Sequence, residues 1–186
     1  MLKGLLLGIL LAVLAIAGGA YYYFSSGHAP VATAAPPMPF ERTLAKIGLN
    51  AYLKRLPHPE PQVQADEANL LAGARVYKDQ CAVCHGLPGV ARTAIAEGMF
   101  PKPPELLQGK GVTDDEAWES YWKVENGIRM TGMPGFKDHL TETQVWQASM
   151  LVKNADKIPP AVRNELAATG AASVTPPSSS PASTGK

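Results

Sequence analysis

The 186-residue chain has little charge and only two cysteines. Charged residues make up 18% of it and the formal net charge is +1, so it lacks the basic field that is usual in nucleic-acid-binding proteins. Two cysteines are too few for a disulfide-rich scaffold or a zinc site with four thiolates. No internal repeat is visible. The length and these absences predict one ordinary domain with appendages, and no nucleic-acid partner.

Prolines are scarce in the middle of the chain. Only five of the 17 prolines fall within residues 65–158. Because proline removes a backbone donor and fixes φ, dense proline argues against a packed core. We therefore predict a compact domain over 65–160, a proline-rich tether over 25–64 and a disordered Pro/Ser/Ala tail over 161–186.

The N-terminus contains an uncharged run from Gly4 to Phe24, preceded by Lys3. A helix of this length, rising about 1.5 Å per residue, can cross a bilayer core, and its four terminal aromatic residues are typical of a membrane interface. We predict that residues 1–24 form a retained membrane anchor. The alternative is a cleaved signal peptide with Gly18 and Ala20 at the cleavage site. Both place the compact domain outside the cytoplasm.

A short helix is predicted within the tether, over residues 41–56, from apolar residues at helical spacing and several basic residues. It is interpreted first as a helix packed on the domain. A partner-docking or membrane-surface helix is the alternative.

Both cysteines lie in the pentapeptide Cys-Ala-Val-Cys-His at 81–85, the attachment signature of c-type haem. Residues i and i+3 share a helix face, so the thiols of Cys81 and Cys84 can reach two vinyl groups on one porphyrin edge. His85 then offers a neutral imidazole nitrogen to the iron. Its other ring nitrogen needs an orienting acceptor, for which we predict the carbonyl of Pro88. The motif thus predicts one covalently bound haem c with its iron.

Other uses of this motif are less well supported by the sequence. A thioredoxin-like site needs a βαβ context, and no strand-rich pattern surrounds these cysteines. A zinc site would need a fourth ligand, and a simple disulfide would give His85 no role.

A second axial ligand is predicted in the glycine-rich segment 126–136, which favours a shaped loop over a helix. Met133 follows Gly132 and precedes Pro134. The glycine allows the loop to approach the haem closely, and the proline restricts the backbone after Met133. A thioether sulfur is a suitable iron ligand. Met130 is the alternative. His139 is interpreted as a surface residue.

Three helices are predicted around this site. One runs from Asp66 through Asp79, a second covers Asp114–Asn126, and a third follows a capping box at Thr141 and stops at Ile158. No convincing alternating strand pattern appears, so the domain is predicted to be all-α.

These motifs together resemble class I c-type cytochromes, most of all the single-haem, membrane-anchored type of bacterial respiratory chains. The matching pieces are Gly73-x-x-x-Tyr77 before the haem motif, Asn126-Gly127-Ile128, Gly132-Met133-Pro134, and Trp146 on the last helix. The resemblance implies a small helical bundle around one haem, with a close helix crossing at Gly73 beside a Tyr77–Trp146 aromatic pair. It also implies that Trp122 lines the haem pocket, although core packing explains this residue equally well.

The function implied is single-electron transfer between respiratory partners at the periplasmic face of a bacterial inner membrane. With the sulfur of Met133 and a nitrogen of His85 as its two axial ligands, the iron would have no position for a substrate. The chain is therefore predicted not to be an enzyme. The alternatives are a cytochrome subunit docked in a dehydrogenase or oxidase complex and, further off, a haem enzyme such as a peroxidase.

Overall fold

A computed structural model describes residues 2–109 and 113–168. Within these ranges the chain is helical and forms no strand, which confirms the predicted all-α class. The predicted tail lies, from residue 169 onward, outside the described residues. The helices are α1 (Leu2–Ser25), α2 (Glu41–Leu53), α3 (Glu67–Val76), α4 (Ala82–His85), α5 (Ala94–Gly98), α6 (Ala117–Asn126), α7 (Glu142–Lys153) and α8 (Pro160–Ala167).

The haem-motif domain is built around α3, which packs against both α7 and α8, while α6 packs against α7. Leu70, Tyr77, Leu151 and Val162 are each at most 3% exposed and belong to one apolar cluster. Burial of such side chains is the main favourable term in the folding of a small domain.

The close crossing of α3 and α7 depends on Gly73. A Cβ at this position would clash with the carbonyl oxygen of Gln147 and lie 2.7 Å from its carbonyl carbon. Because backbone atoms cannot yield as a flexible side chain can, only glycine permits this approach. The predicted close crossing is confirmed.

The aromatic pair predicted beside the crossing is not the one observed. The ring of Trp146 stacks on that of Tyr121, with centroids 4.2 Å apart, whereas the hydroxyl of Tyr77 donates a hydrogen bond to the Gly86 carbonyl at 3.0 Å. The reason lies in α6, which sits against α7 and supplies the stacking partner.

Helix α7 begins as predicted. The hydroxyl of Thr141 accepts from the backbone N–H of Gln144, and the side-chain oxygen of Gln144 accepts from the backbone N–H of Thr141. This reciprocal capping box satisfies two donors that the first helical turn would otherwise leave unpaired.

The predicted domain boundary at residue 160 is wrong. The chain passes from α7 through a short 3₁₀ turn, Ala155–Lys157, and Pro160 then occupies the first position of α8. Proline suits that position because the first helical N–H has no intrahelical partner. Val162 and Leu166 of α8 are buried. The prolines that predicted the end of the domain therefore mark the start of its last described helix.

Helix α1 has a mean hydropathy of 2.2 over its most apolar window, and none of its residues is buried. By length and composition it is a candidate membrane span, as predicted from the run of apolar residues.

The tether is partly docked on the domain. Its helix α2 ends at Leu53, which is 4% exposed, and the rings of Tyr52 and His58 pack against those of Trp122 and Trp118 at 5.4 Å and 4.1 Å between centroids. These two tryptophans lie one turn apart on α6, so residues 52–58 follow one face of that helix.

Candidate haem site

The two cysteines and the histidine of the motif lie on one continuous helical path. Helix α3 leads into a wider π-helical turn, Tyr77–Cys81, and this turn leads directly into α4, which contains Cys84 and His85. Such π turns are rare overall, but those that occur are often found at functional sites. The three motif side chains therefore lie on one short helical segment.

Both cysteines are free and half-buried. Burial, together with the nearby Cys84, raises the pKa of the Cys81 thiol to about 12. A sulfur in these surroundings is stabilised as an uncharged group. A neutral thioether satisfies that condition.

His85 is oriented by a backbone carbonyl. Its Nδ1 lies 2.7 Å from the carbonyl oxygen of Pro104. Because a carbonyl oxygen can only accept, Nδ1 carries the proton and Nε2 keeps its lone pair. Burial lowers the pKa of the imidazole, and the nearby Arg92 acts in the same direction, against the opposing effect of the Pro104 hydrogen bond. The structure therefore holds a neutral imidazole with its Nε2 available as a ligand.

The predicted acceptor Pro88 is wrong. Pro88 is exposed and lies within a turn that the backbone N–H of Val90 closes by donating to the Leu87 carbonyl. The segment 87–90 thus forms its own hydrogen-bonded turn. The acceptor for His85 is instead the carbonyl of Pro104, 19 residues further along the chain. Sequence spacing favoured the nearer proline because it could not show that residues 101–104 fold back under the motif.

Arg92 fixes the segment that contains this acceptor. Its Nη2 donates to the carbonyl of Pro103 at 2.9 Å, and its Nε lies 3.6 Å from a carboxylate oxygen of Glu105. The two residues flank Pro104, so one guanidinium holds both sides of the His85 acceptor. Arg92 and Glu105 were missed by the sequence analysis, since neither belongs to a recognisable motif.

Thr93 connects the motif to α5. Its hydroxyl donates to the carbonyl of Val83 and accepts from the backbone N–H of Ala96, capping that helix. The region after the motif is thus hydrogen-bonded to it at two places, through Thr93 and through Pro104.

Met133 lies in the loop between α6 and α7 and is half-buried. Its backbone N–H donates to the Thr131 hydroxyl at 3.1 Å, and its carbonyl accepts from the N–H of Ile128 at 3.2 Å. The backbone of the predicted ligand is therefore held on both sides. Met130, the alternative, is 88% exposed and has a left-handed backbone with φ of 62°, which favours Met133 over Met130.

Glycines determine the shape of this loop. A Cβ on Gly127, where φ is +69°, would lie 2.6 Å from the backbone nitrogen of Gly135. A Cβ on Gly132 would clash with Cε of Met99. The loop is closed against itself at Gly127 and against the Met99 side chain at Gly132, a contact that the sequence did not indicate.

Two other residues were considered from the sequence, Trp122 and His139. Trp122 is half-buried on α6 and its ring contacts Tyr52 of the tether, so its place at the haem stays a prediction. His139 is exposed, as expected for a surface residue.

The residues present fit a covalent haem. Cys81, Cys84 and His85 supply two thiols and one oriented imidazole nitrogen. Nη1 of Arg92 is buried and has no hydrogen-bond partner within the described ranges. A buried guanidinium donor without an acceptor is costly, and a haem propionate is an anion of the kind that it would bind.

Comparisons with known proteins point to the same class. A family model described as "Cytochrome C oxidase, cbb3-type, subunit III" matches residues 68–150. The quinohemoprotein alcohol dehydrogenase ADH-IIG of Pseudomonas putida is 30% identical over 146 residues, which cover 74% of this chain and 18% of that protein. The chain thus spans less than a fifth of the length of this relative.

A solved structure was also found, the reducing HAO-like protein complex of Kuenenia stuttgartiensis. It matches with a TM-score of 0.44 and 26% identity, covering 57% of this chain and 54% of that one.

The motif and the family match indicate that residues 68–150 are a c-type cytochrome domain, and the all-helical structure fits the class I fold. Proteins of this class carry haem c bound covalently through the two cysteines of Cys-x-x-Cys-His, and they transfer electrons.

Proposed function

We propose that this protein is a membrane-tethered cytochrome with one haem c, which passes single electrons between respiratory-chain partners at the periplasmic face of a bacterial inner membrane. The supporting observation is the orientation of His85: its Nδ1–H is used by the Pro104 carbonyl, at 2.7 Å, and its Nε2 is free to bind iron. A haem that is held in this way supplies one-electron exchange between ferric and ferrous iron.

In this proposal each residue of the site has a distinct role. Cys81 and Cys84 hold the haem by thioether bonds and His85 and Met133 are its axial ligands. Arg92 keeps the Pro103–Glu105 segment in place, so that the imidazole ring cannot rotate away from its Pro104 acceptor. Methionine as the second ligand favours a higher potential and leaves no position for substrate, which supports a carrier over a haem enzyme.

The ligand set is tested by replacing each of three methionines by alanine. Met133→Ala should abolish the weak near-infrared sulfur–iron band and allow the ferrous protein to bind carbon monoxide rapidly at neutral pH. Met130→Ala and Met38→Ala should do neither. Loss of the band in either of the latter variants, with Met133→Ala unaffected, would contradict the assignment, and rapid carbon monoxide binding by the wild type would favour an enzyme.

A second candidate function is suggested by the match to an alcohol dehydrogenase that contains both a quinone cofactor and haem, as its name states. The present chain would then be the cytochrome subunit of a dehydrogenase or oxidase complex. Purification from native membranes tests this: a stoichiometric partner that stays bound through gel filtration would support the docked subunit, and isolation of the cytochrome alone would support the freely acting carrier.

The membrane tether is tested by carbonate extraction and intact mass. Retention of the protein in the membrane, with an intact mass that still includes residues 1–24 and one haem, is expected. A soluble product shortened near Ala20 would show that the segment is a cleaved signal.

A further inference from the structure

Helix α2 has apolar residues on two faces, and the domain covers one of them. On the covered side Leu53 is 4% exposed. On the other side Leu44 and Ile47 are 66% and 59% exposed, and Phe40, just before the helix, is 76% exposed. Leu44 and Ile47 lie three residues apart and therefore on the same side of the helix. We call Phe40, Leu44 and Ile47 the outer face of α2.

Basic residues occur along α2 and just after its end. From 41 to 55 the chain contains Arg42, Lys46, Lys54 and Arg55 but a single acidic residue, Glu41. The carboxylate of Glu41 accepts from the backbone N–H of Met38 at 2.8 Å. All four basic residues are exposed, and none of them forms a salt bridge within residues 2–109 and 113–168. By helical spacing Arg42 and Lys46 lie on the covered side of α2, where the guanidinium of Arg42 is 5.6 Å from the ring centroid of Phe100. Lys54 and Arg55 follow the end of the helix.

The remainder of the domain has the opposite charge. Residues 65–158 contain ten Lys and Arg against 13 Asp and Glu. An anionic surface would therefore repel the domain as a whole and attract α2. Positive charge and exposed apolar area therefore occur together within the short segment 40–55, and both favour the interface of an anionic bilayer.

The position of α2 in the chain agrees with such a role. Residues 26–40 separate its first residue from the end of α1 at Ser25. Even a fully extended segment of this length reaches only about 50 Å. If α1 spans the membrane, α2 must remain near the surface from which α1 emerges.

From this juxtaposition we infer that the outer face of α2 lies on the anionic lipid headgroups of the membrane that anchors the chain. The inference rests on the proposed membrane tether. Since the other side of α2 is fixed to the domain by Leu53 and by the Tyr52–Trp122 contact, lipid binding would hold the haem domain with a defined side toward the bilayer, instead of letting it rotate on a free tether.

The test uses full-length holoprotein in vesicles of phosphatidylcholine and phosphatidylglycerol in a three-to-one ratio. A nitroxide is attached through Ile47→Cys, with Val90→Cys, an exposed apolar position of the domain, as the matched control. Since the native cysteines are taken up in thioethers, the introduced thiol is the site of labelling. Accessibility to oxygen relative to a water-soluble nickel complex should be several-fold higher at 47 than at 90.

Three results would overturn the inference, and they can be told apart. Equal accessibility at 47 and 90 in protein that resists carbonate extraction would exclude lipid contact and leave the proposed tether intact. Shielding at 47 that needs an added redox protein would assign the outer face to a protein partner. Extraction of the protein by carbonate would overturn the tether and this inference together.

A second measurement does not depend on a label. Linear dichroism of the haem in oriented bilayers reports how uniformly the domain is oriented. Leu44→Glu combined with Ile47→Glu should reduce the dichroism severalfold without changing the redox spectrum, whereas Val90→Glu should leave it unchanged. Undiminished dichroism in the double variant would contradict the inference.

Discussion

The two proposed axial ligands are held by different means. On the histidine side, side chains from separate parts of the chain converge: Arg92 fixes the segment 103–105, and that segment orients His85. On the methionine side, backbone hydrogen bonds and glycine contacts within residues 127–135 shape the loop around Met133. The histidine side therefore depends on long-range polar contacts, and the methionine side on local backbone geometry.

The difference predicts that the methionine side is sensitive to a single added methyl group. Gly127→Ala combines a left-handed φ with a steric conflict at Gly135, and should lower the free energy of unfolding by about 3 kcal/mol. The sulfur–iron band should weaken in the same variant. Denaturant unfolding and the near-infrared spectrum measure the two effects.

Gly89→Ala is the matched control for this variant. Gly89 has φ of +74°, but a Cβ there would meet nothing within 4 Å. Only the conformational cost should remain, about 1 kcal/mol, with an unchanged band. Equal losses in the two variants would show that the close approach at Gly135 is unimportant.

The crossing of α3 and α7 should show the next largest effect on stability. Gly73→Ala would force α3 and α7 apart and should cost about 2 kcal/mol of stability, because Gln147 contributes backbone atoms to the contact. The sulfur–iron band should persist, since the loop of Met133 is not at this crossing. Loss of the sulfur–iron band in Gly73→Ala would mean that the helix crossing and the Met133 loop are not independent.

Helix α8 provides a test of the domain boundary. Val162→Ala removes two buried methyl groups from the cluster of α3 and α8 and should destabilise the domain by about 1.5 kcal/mol. Val90→Ala, at a position 54% exposed, should change stability by less than about 0.5 kcal/mol. Unchanged unfolding of Val162→Ala would support the earlier boundary at residue 160.

Replacing Arg92 is expected to change stability least and to act mainly on the reduction potential. Arg92→Gln removes the clamp on Pro103 and Glu105 and should cost about 1 kcal/mol, while altering the reduction potential through the freed His85 ring. Lys102→Gln, which removes an exposed pair with Glu97, should leave stability and potential nearly unchanged. A potential that is the same in both variants would limit Arg92 to a structural role.

Local patterns were sufficient for much of this molecule. The motif at 81–85, the capping box at Thr141 and the need for glycine at position 73 follow from short sequence windows and from the resemblance that they support. The starts of α2 and α7 were predicted correctly. The acidic start of α6 was assigned three residues too early, since Asp114–Glu116 precede Ala117, and α2 ends at Leu53 instead of 56.

Contacts between distant residues were not predictable in this way. The prolines at 159 and 160 argued for an end to packing, yet Val162 and Leu166 beyond them are buried. The acceptor of His85 and the stacking partner of Trp146 likewise come from segments whose proximity appears only after the chain has folded.

The sequence by itself determined the cofactor attachment, since the covalent chemistry requires a fixed spacing within five residues. It also determined the helical class and the candidate membrane span, which depend on local composition and periodicity. The tertiary structure alone decided how His85 is oriented, how exposed Met130 and Met133 are, and which side of α2 is left uncovered. Each of these depends on pairs of residues far apart in the chain, whose interactions form only when the hydrophobic core brings them together.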